Sequence, residues 1–157
     1  MTIRSVSVVS LVLDQASKLA VLHFLKLGQS VTLIPGILYF TYIQNPGAAF
    51  GFLASAHAVW RIPFFIAITI LAGLVVYSFQ RFVPREKRIV RFSLGLIWGG
   101  AAGNFLDRLL YSKVVDFIDA GFQQYRWPVF NLADSCITIG LTLMFLDWLR
   151  NKPNFGR

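Results

Sequence analysis

The polar chemistry of this chain gathers in three stretches. They read Gly99-Gly-Ala-Ala-Gly-Asn104-Phe-Leu-Asp107-Arg108, then Val114-Val-Asp116-Phe117, then Phe130-Asn131-Leu-Ala133-Asp134-Ser135. Asn104, Asp107, Asn131 and Asp134 lie in or at the edge of segments otherwise suited to lipid. A charged group at a bilayer centre costs roughly 2.5–3.5 kcal/mol on insertion scales, so it is found there with a partner or a task. Pairing with Arg108 to hold helices together is one explanation. A catalytic carboxylate pair, Asp116 with Asp134, is the other. Two carboxylates in one site do not both ionise readily, so one keeps its proton near neutral pH. The ionised member can then take a proton from water while its neighbour donates to a carbonyl oxygen. No serine or cysteine has a histidine in an evident supporting position, so any hydrolysis here would use aspartates.

The elements that must position these residues are membrane helices. The 157 residues are 56% hydrophobic and 14% charged, against about 25% charged in a soluble domain. The net charge of +8 falls in blocks rather than a stripe, which speaks for membrane topology over nucleic-acid binding. Cys136, the single cysteine, reads as a small apolar residue of a helix, and it excludes an internal disulfide. His23 and His57 are too few and too far apart in sequence for a zinc site. Neither a metal nor a cofactor is expected.

Four spans are expected, at about 3–25, 58–79, 92–110 and 128–148, each near the length that crosses a bilayer of roughly 30 Å. The first is read as a retained span rather than a cleaved leader, because Asp14 and Lys18 interrupt it and no small-residue cleavage site ends it. These two are spaced i, i+4, with the acid N-terminal. They either form an ion pair that eases insertion or face a functional cavity. Ser30 to Gln44, β-branched and aromatic around Pro35-Gly36, reads as a short strand pair at the membrane surface. Asn45-Pro-Gly47-Ala-Ala-Phe-Gly51 after it could lie close against an extended substrate or be only a turn. In the third span Gly95, Gly99 and Gly103 recur every fourth residue, a face that admits a close helix neighbour. Arg4, the loop at 80–91 and the tail hold nine of the fifteen Lys and Arg residues. Such basic segments stay cytoplasmic. Both termini would then be inside, with the segments 26–57 and 111–127 outside. Asn45, Asn104, Asp107, Arg108, Asp116, Asn131 and Asp134 would share one place near the outer leaflet boundary. The fold class is thus an all-α membrane protein with a small β extension, in one domain over 1–157: four transmembrane helices, an extracytoplasmic β-cradle and a surface segment.

Five motifs follow one another in order: Asp14-Gln15 with Lys18, Asn45-x-Gly-Ala-Ala-Phe, Gly99-Gly-Ala-x-Gly-Asn-x-x-Asp-Arg108, Val115-Asp116-Phe117 and Phe130-Asn-x-Ala-Asp134. Together they closely resemble lipoprotein signal peptidase (signal peptidase II) over nearly the whole chain. The resemblance implies an aspartic endopeptidase of the bacterial cytoplasmic (inner) membrane. Its substrates would be prolipoproteins with a diacylglyceryl cysteine, and the cut would fall before that cysteine. It implies Asp116 and Asp134 as the catalytic dyad. Asp14, Lys18, Asn45, Gly47, Asn104, Arg108, Asn131 and Ala133 match supporting or substrate-contacting positions, and Asp107 would stabilise Arg108. It also implies contact with membrane lipid, sensitivity to globomycin-like cyclic peptides, and no nucleic acid; a monomer is expected. Pro46 departs from the family pattern, standing where many relatives carry a hydroxyl residue. Two rivals remain at this level. A small transporter or proton-relay subunit would explain Asp14, Lys18 and Asp134, but not why polar residues gather toward one side. A non-catalytic assembly protein would explain only the glycines.

Overall fold

The computed structural model describes residues 2–47, 57–122 and 124–151. Four helices among them are long and apolar enough to cross a membrane: α1 (Ile3–Phe24), α2 (Ala58–Gln80), α3 (Arg88–Tyr111) and α4 (Leu132–Arg150). A four-stranded antiparallel sheet, β1 (Ser30–Ile34), β2 (Leu38–Asn45), β3 (Val114–Phe122) and β4 (Tyr125–Arg126), pairs in sequence order. The stretch Ala48–Gly51 of the small-residue loop lies outside the described residues.

Helix α3 is the central element, packing on α1 and α4 and more lightly on α2. Its glycines explain the close approach. A methyl added at Gly95 would stand 2.5 Å from Val6 Cβ, and one at Gly99 would stand 2.5 Å from Ser10 Cβ. One at Gly103 would strike the Asp14 carboxylate. On the adjoining face Gly100 receives the Ala133 carbonyl of α4, and Gly140 of α4 receives Ile97 and the Ser93 carbonyl. Between apolar helices in lipid there is little hydrophobic drive, so backbone proximity and hydrogen bonds hold the pairs together. The buried stripe of α1 fits this: Ile3, Val6, Ser10, Asp14, Lys18 and Val21 follow at helical spacing, with the charged pair in its C-terminal half. Helix α2 is apolar all round and buries only Phe65, as expected of a helix that turns most of its surface to lipid.

Two local devices aim the polar residues. Ser112 ends α3 in the left-handed region, φ 58°, and the chain turns directly into β3. Residues 114–117 are all buried, although strands alternate faces. Val115 and Phe117 pack with Val21 and Tyr42 under α1, whereas Val114 and Asp116 line a cleft on the other face. The second device is the start of α4. The hydropathy run suggested a span from 128, but Phe130 is extended and bridges Ile118 of β3, with Phe130 N–H donating to Ile118 O at 3.0 Å. The helix begins only at Leu132, capped by Asn131. Residues 111–127, expected as a surface segment, contribute two strands to the sheet.

Candidate active site

Asp134 is the third residue of α4 and one half of a capping box. Its N–H donates to Asn131 Oδ1 at 2.9 Å, and its Oδ2 accepts the Asn131 N–H at 3.2 Å. A carboxylate in the first turn also meets the positive end of the helix dipole. Its other oxygen, Oδ1, accepts Asn104 Nδ2 from α3 at 2.7 Å.

Asp116 arrives from the sheet. The Phe130–Ile118 bridge brings Asn131 alongside it, and Asn131 Nδ2 donates to Asp116 Oδ1 at 2.7 Å. Asn45, at the end of β2, donates Nδ2 to Asp116 Oδ2 at 2.9 Å. The Asn45 amide is held the right way round because its Oδ1 accepts the Gly47 N–H at 2.9 Å. Burial, reinforced by the neighbouring Asp134 carboxylate, pushes the Asp116 carboxyl from its ordinary 3.8 up to about 7.

Asn131 therefore joins both aspartates, and it is fully buried. Its Nδ2 also donates to Asn104 Oδ1 at 3.0 Å, which closes a ring of amides between the two carboxylates. Arg108 lies at the edge, donating to the carbonyls of Asn104 (3.1 Å) and Gly47 (3.3 Å) with its guanidinium over the Phe65 ring. Asp107, which the resemblance implies as a support for Arg108, forms no ion pair with it among the described residues. Successive residues of a helix point about 100° apart. Asp107 turns instead toward Lys18 Nζ (3.0 Å), Gln15 Nε2 (3.0 Å) and the Val115 N–H (3.0 Å), so it ties α1 and the start of β3 to α3. Asp14 pairs with Lys18 at 2.9 Å and accepts the Ala133 N–H at 2.8 Å. Of the two readings of Asp14 and Lys18, the ion pair is the one the geometry shows; neither residue lines the cleft, and Lys18 reaches its wall only by donating to Asn104 Oδ1 at 3.0 Å. Ala133 is wedged against Gly100 and Gly103, which leaves little room for a larger side chain.

The two aspartates face a cleft of about 940 Å³. Asn45, Gly47, Asn104 and Arg108 share its walls, and apolar side chains from Trp127–Phe130 and Ile137–Ile139 complete them. Gln15 and Phe130 stand in the sequence motifs without a role of their own, and Phe65 and residues 127–129 of the wall stand outside them. Gln15 is legible as a polar residue beside Asp14 in an apolar run; Phe65 and residues 127–129 carry no signal until the fold brings them in.

Residues 6–150 match the family model described as "Signal peptidase (SPase) II". The chain belongs to the signal peptidase II family. Among its relatives, the lipoprotein signal peptidase of Geobacter metallireducens is 42% identical, the match covering 94% of this chain and 90% of that one. That of Listeria monocytogenes is 40% identical over 85% and 84% of the two chains. A solved structure titled "Bacterial membrane enzyme structure by the in meso method at 2.3 A resolution" superposes with a TM-score of 0.86 at 34% identity, covering 97% of this chain and 90% of that chain. A second, solved by the same method at 1.9 Å, gives 0.83 at 32% identity. Membership of the signal peptidase II family makes this chain a peptidase, and its four apolar helices make it a multi-pass protein of the bacterial inner membrane. The transporter and assembly readings fall with that assignment.

Proposed function

We propose that the chain is an aspartic endopeptidase that removes signal peptides from prolipoproteins, cutting immediately before a cysteine that already carries a diacylglyceryl group. The observation that carries this reading is the convergence of Asp116 and Asp134, from a strand and a helix, on one cleft through the shared Asn131. The relatives' name, lipoprotein signal peptidase, supports the substrate class.

In this mechanism Asp134 is the base and Asp116 the acid. Asp134 takes a proton from a water as its oxygen attacks the scissile carbonyl carbon. Asp116 gives its proton to the carbonyl oxygen, and a neutral gem-diol forms. On collapse Asp134 returns its proton to the amide nitrogen, the C–N bond breaks, and Asp116 recovers a proton from one diol hydroxyl. The products are a signal-peptide carboxyl terminus and a free cysteine amine. A carboxyl poised at about 7 suits the acid role at neutral pH. Asn45, Asn104 and Asn131 hold the carboxyls in place, and Arg108 with Gly47 lines the path of the substrate backbone.

The blocks of Lys and Arg support both termini lying in the cytoplasm, with the cleft near the outer leaflet, where the substrate's diacylglyceryl group is anchored in membrane lipid. Globomycin-like cyclic peptides would occupy the same cleft, and the enzyme would act as a monomer. The test is cleavage of a diacylglyceryl-modified prolipoprotein by purified protein, followed by gel shift. Asp116→Asn and Asp134→Asn are expected to lose at least about 10³-fold in rate while keeping the wild-type melting profile. Cleavage by either variant near the wild-type rate would sink the dyad.

A further inference from the structure

Lys18 has a task beyond neutralising its acidic neighbours. Its side chain is 2% exposed, and its ammonium carries three N–H donors. Each finds one acceptor: Asp14 Oδ2 at 2.9 Å, Asp107 Oδ2 at 3.0 Å and Asn104 Oδ1 at 3.0 Å. The first two acceptors are carboxylates that would suffice for charge pairing. The third is a neutral amide whose opposite end, Nδ2, donates to Asp134 Oδ1 at 2.7 Å. An amide oxygen that accepts from a cation polarises its own N–H, and hydrogen bonds in series strengthen one another in a low-dielectric interior. A cationic donor also forbids the flipped amide, which would turn an N–H toward the ammonium and an oxygen toward the Asp134 carboxylate.

We infer that Lys18 is a positioning residue for the proposed dyad, holding and polarising the Asn104 amide so that it donates to the Asp134 carboxylate. The inference rests on the dyad reading above. The charged groups around this chain of contacts are Asp14 of α1, Asp107 and Arg108 of α3, Asp116 of β3 and Asp134 of α4. Helix α2 presents Phe65, which stacks on Arg108. Lys18 touches neither the cleft nor the substrate path, so its loss should slow chemistry without weakening substrate binding.

The obvious variant, Lys18→Met, strands two buried carboxylates and is liable to fail to fold. Asp14→Asn/Lys18→Met removes one opposite charge with each substitution and leaves the net charge of the cluster as it was. The experiment measures kcat and KM on diacylglyceryl-modified prolipoprotein for that double variant, for Asn104→Ala, and for the triple combination, each checked for a cooperative melt. The double variant is expected to lose 10- to 100-fold in kcat with KM within about 2-fold of wild type. Adding it to Asn104→Ala is expected to cost no further rate, because both act on one hydrogen bond. A double variant that cleaves at the wild-type rate once its stability is restored would show a purely structural lysine and overturn the inference. A loss that simply multiplies with that of Asn104→Ala would overturn it too. Asp134→Asn is run alongside: cleavage by that variant would overturn the dyad itself, a different failure from either of these.

Discussion

Asp116 and Asp134 are chemically identical residues in unlike settings. Asp116 sits in a buried strand between two amide donors, and burial holds its proton up to about pH 7. Asp134 sits in the first turn of a helix, its two oxygens taken by a backbone N–H and by Asn104. If Asp116 is the acid, kcat/KM should fall as pH rises through about 7, the value the carboxyl is pushed up to. A pH–rate profile of the wild type checks this, and a flat profile from 6 to 9 would remove Asp116 from that role. The stability consequence has a definite sign. The folded chain holds this proton where an unfolded carboxyl near 3.8 has released it, so the contribution of Asp116 is full below about 4 and is lost as pH rises through about 7. At this scale the carboxylates, amides and lysine were legible because polar groups stand out in apolar segments. Their partners were not: Asp107 and Arg108 are adjacent in sequence, yet their hydrogen bonds run to different elements.

Helix α3 carries the most positional information among the elements, since α1, α2 and α4 all pack on it and Asn104, Asp107 and Arg108 leave it in different directions. The Gly95–Gly99–Gly103 row marks the α1 face in the sequence, because only small residues recurring at one helical face let backbones approach. Gly100, which receives α4, falls outside that row and was not legible as a contact. A Cβ there would collide with the Ala133 carbonyl, and backbone beside the capping box of Asp134 cannot yield. Gly100→Ala should therefore lower stability by about 1–3 kcal/mol and depress cleavage by moving Asp134. Gly73→Ala provides the contrast, since its Cβ would meet only the Trp98 ring, at 3.3 Å, on the lightly packed α2 interface. Melting in detergent and rates for both variants check the pair; equal tolerance would contradict this account of α3–α4 packing. Strand β3 was missed as a strand, although Val114-Val-Asp-Phe-Ile is rich in β-branched and aromatic residues, because hydropathy alone marks it only as the gap between two spans.

On the scale of the whole molecule, the distribution of Lys and Arg predicts which ends of the helices face which side. With Cys136→Ala as background, a cysteine at Lys26 should be labelled by a membrane-impermeant maleimide in intact spheroplasts, and one at Arg85 only after permeabilisation. The reverse pattern would invert the proposed topology and take the cleft away from the outer leaflet. Composition and hydropathy by themselves determined that this is a helical membrane protein with a small β extension, because an apolar run of bilayer length has few other solutions. The ordered motifs determined the family. What only the tertiary structure decided is how the polar residues meet. Asp116 reaches Asn131 because a residue pair far from either helix centre, Phe130 with Ile118, bridges strand to helix start. Lys18 reaches Asn104 because glycines bring α1 against α3. These contacts depend on distances between elements, and local sequence records propensity and periodicity but not which distant backbone will supply the partner.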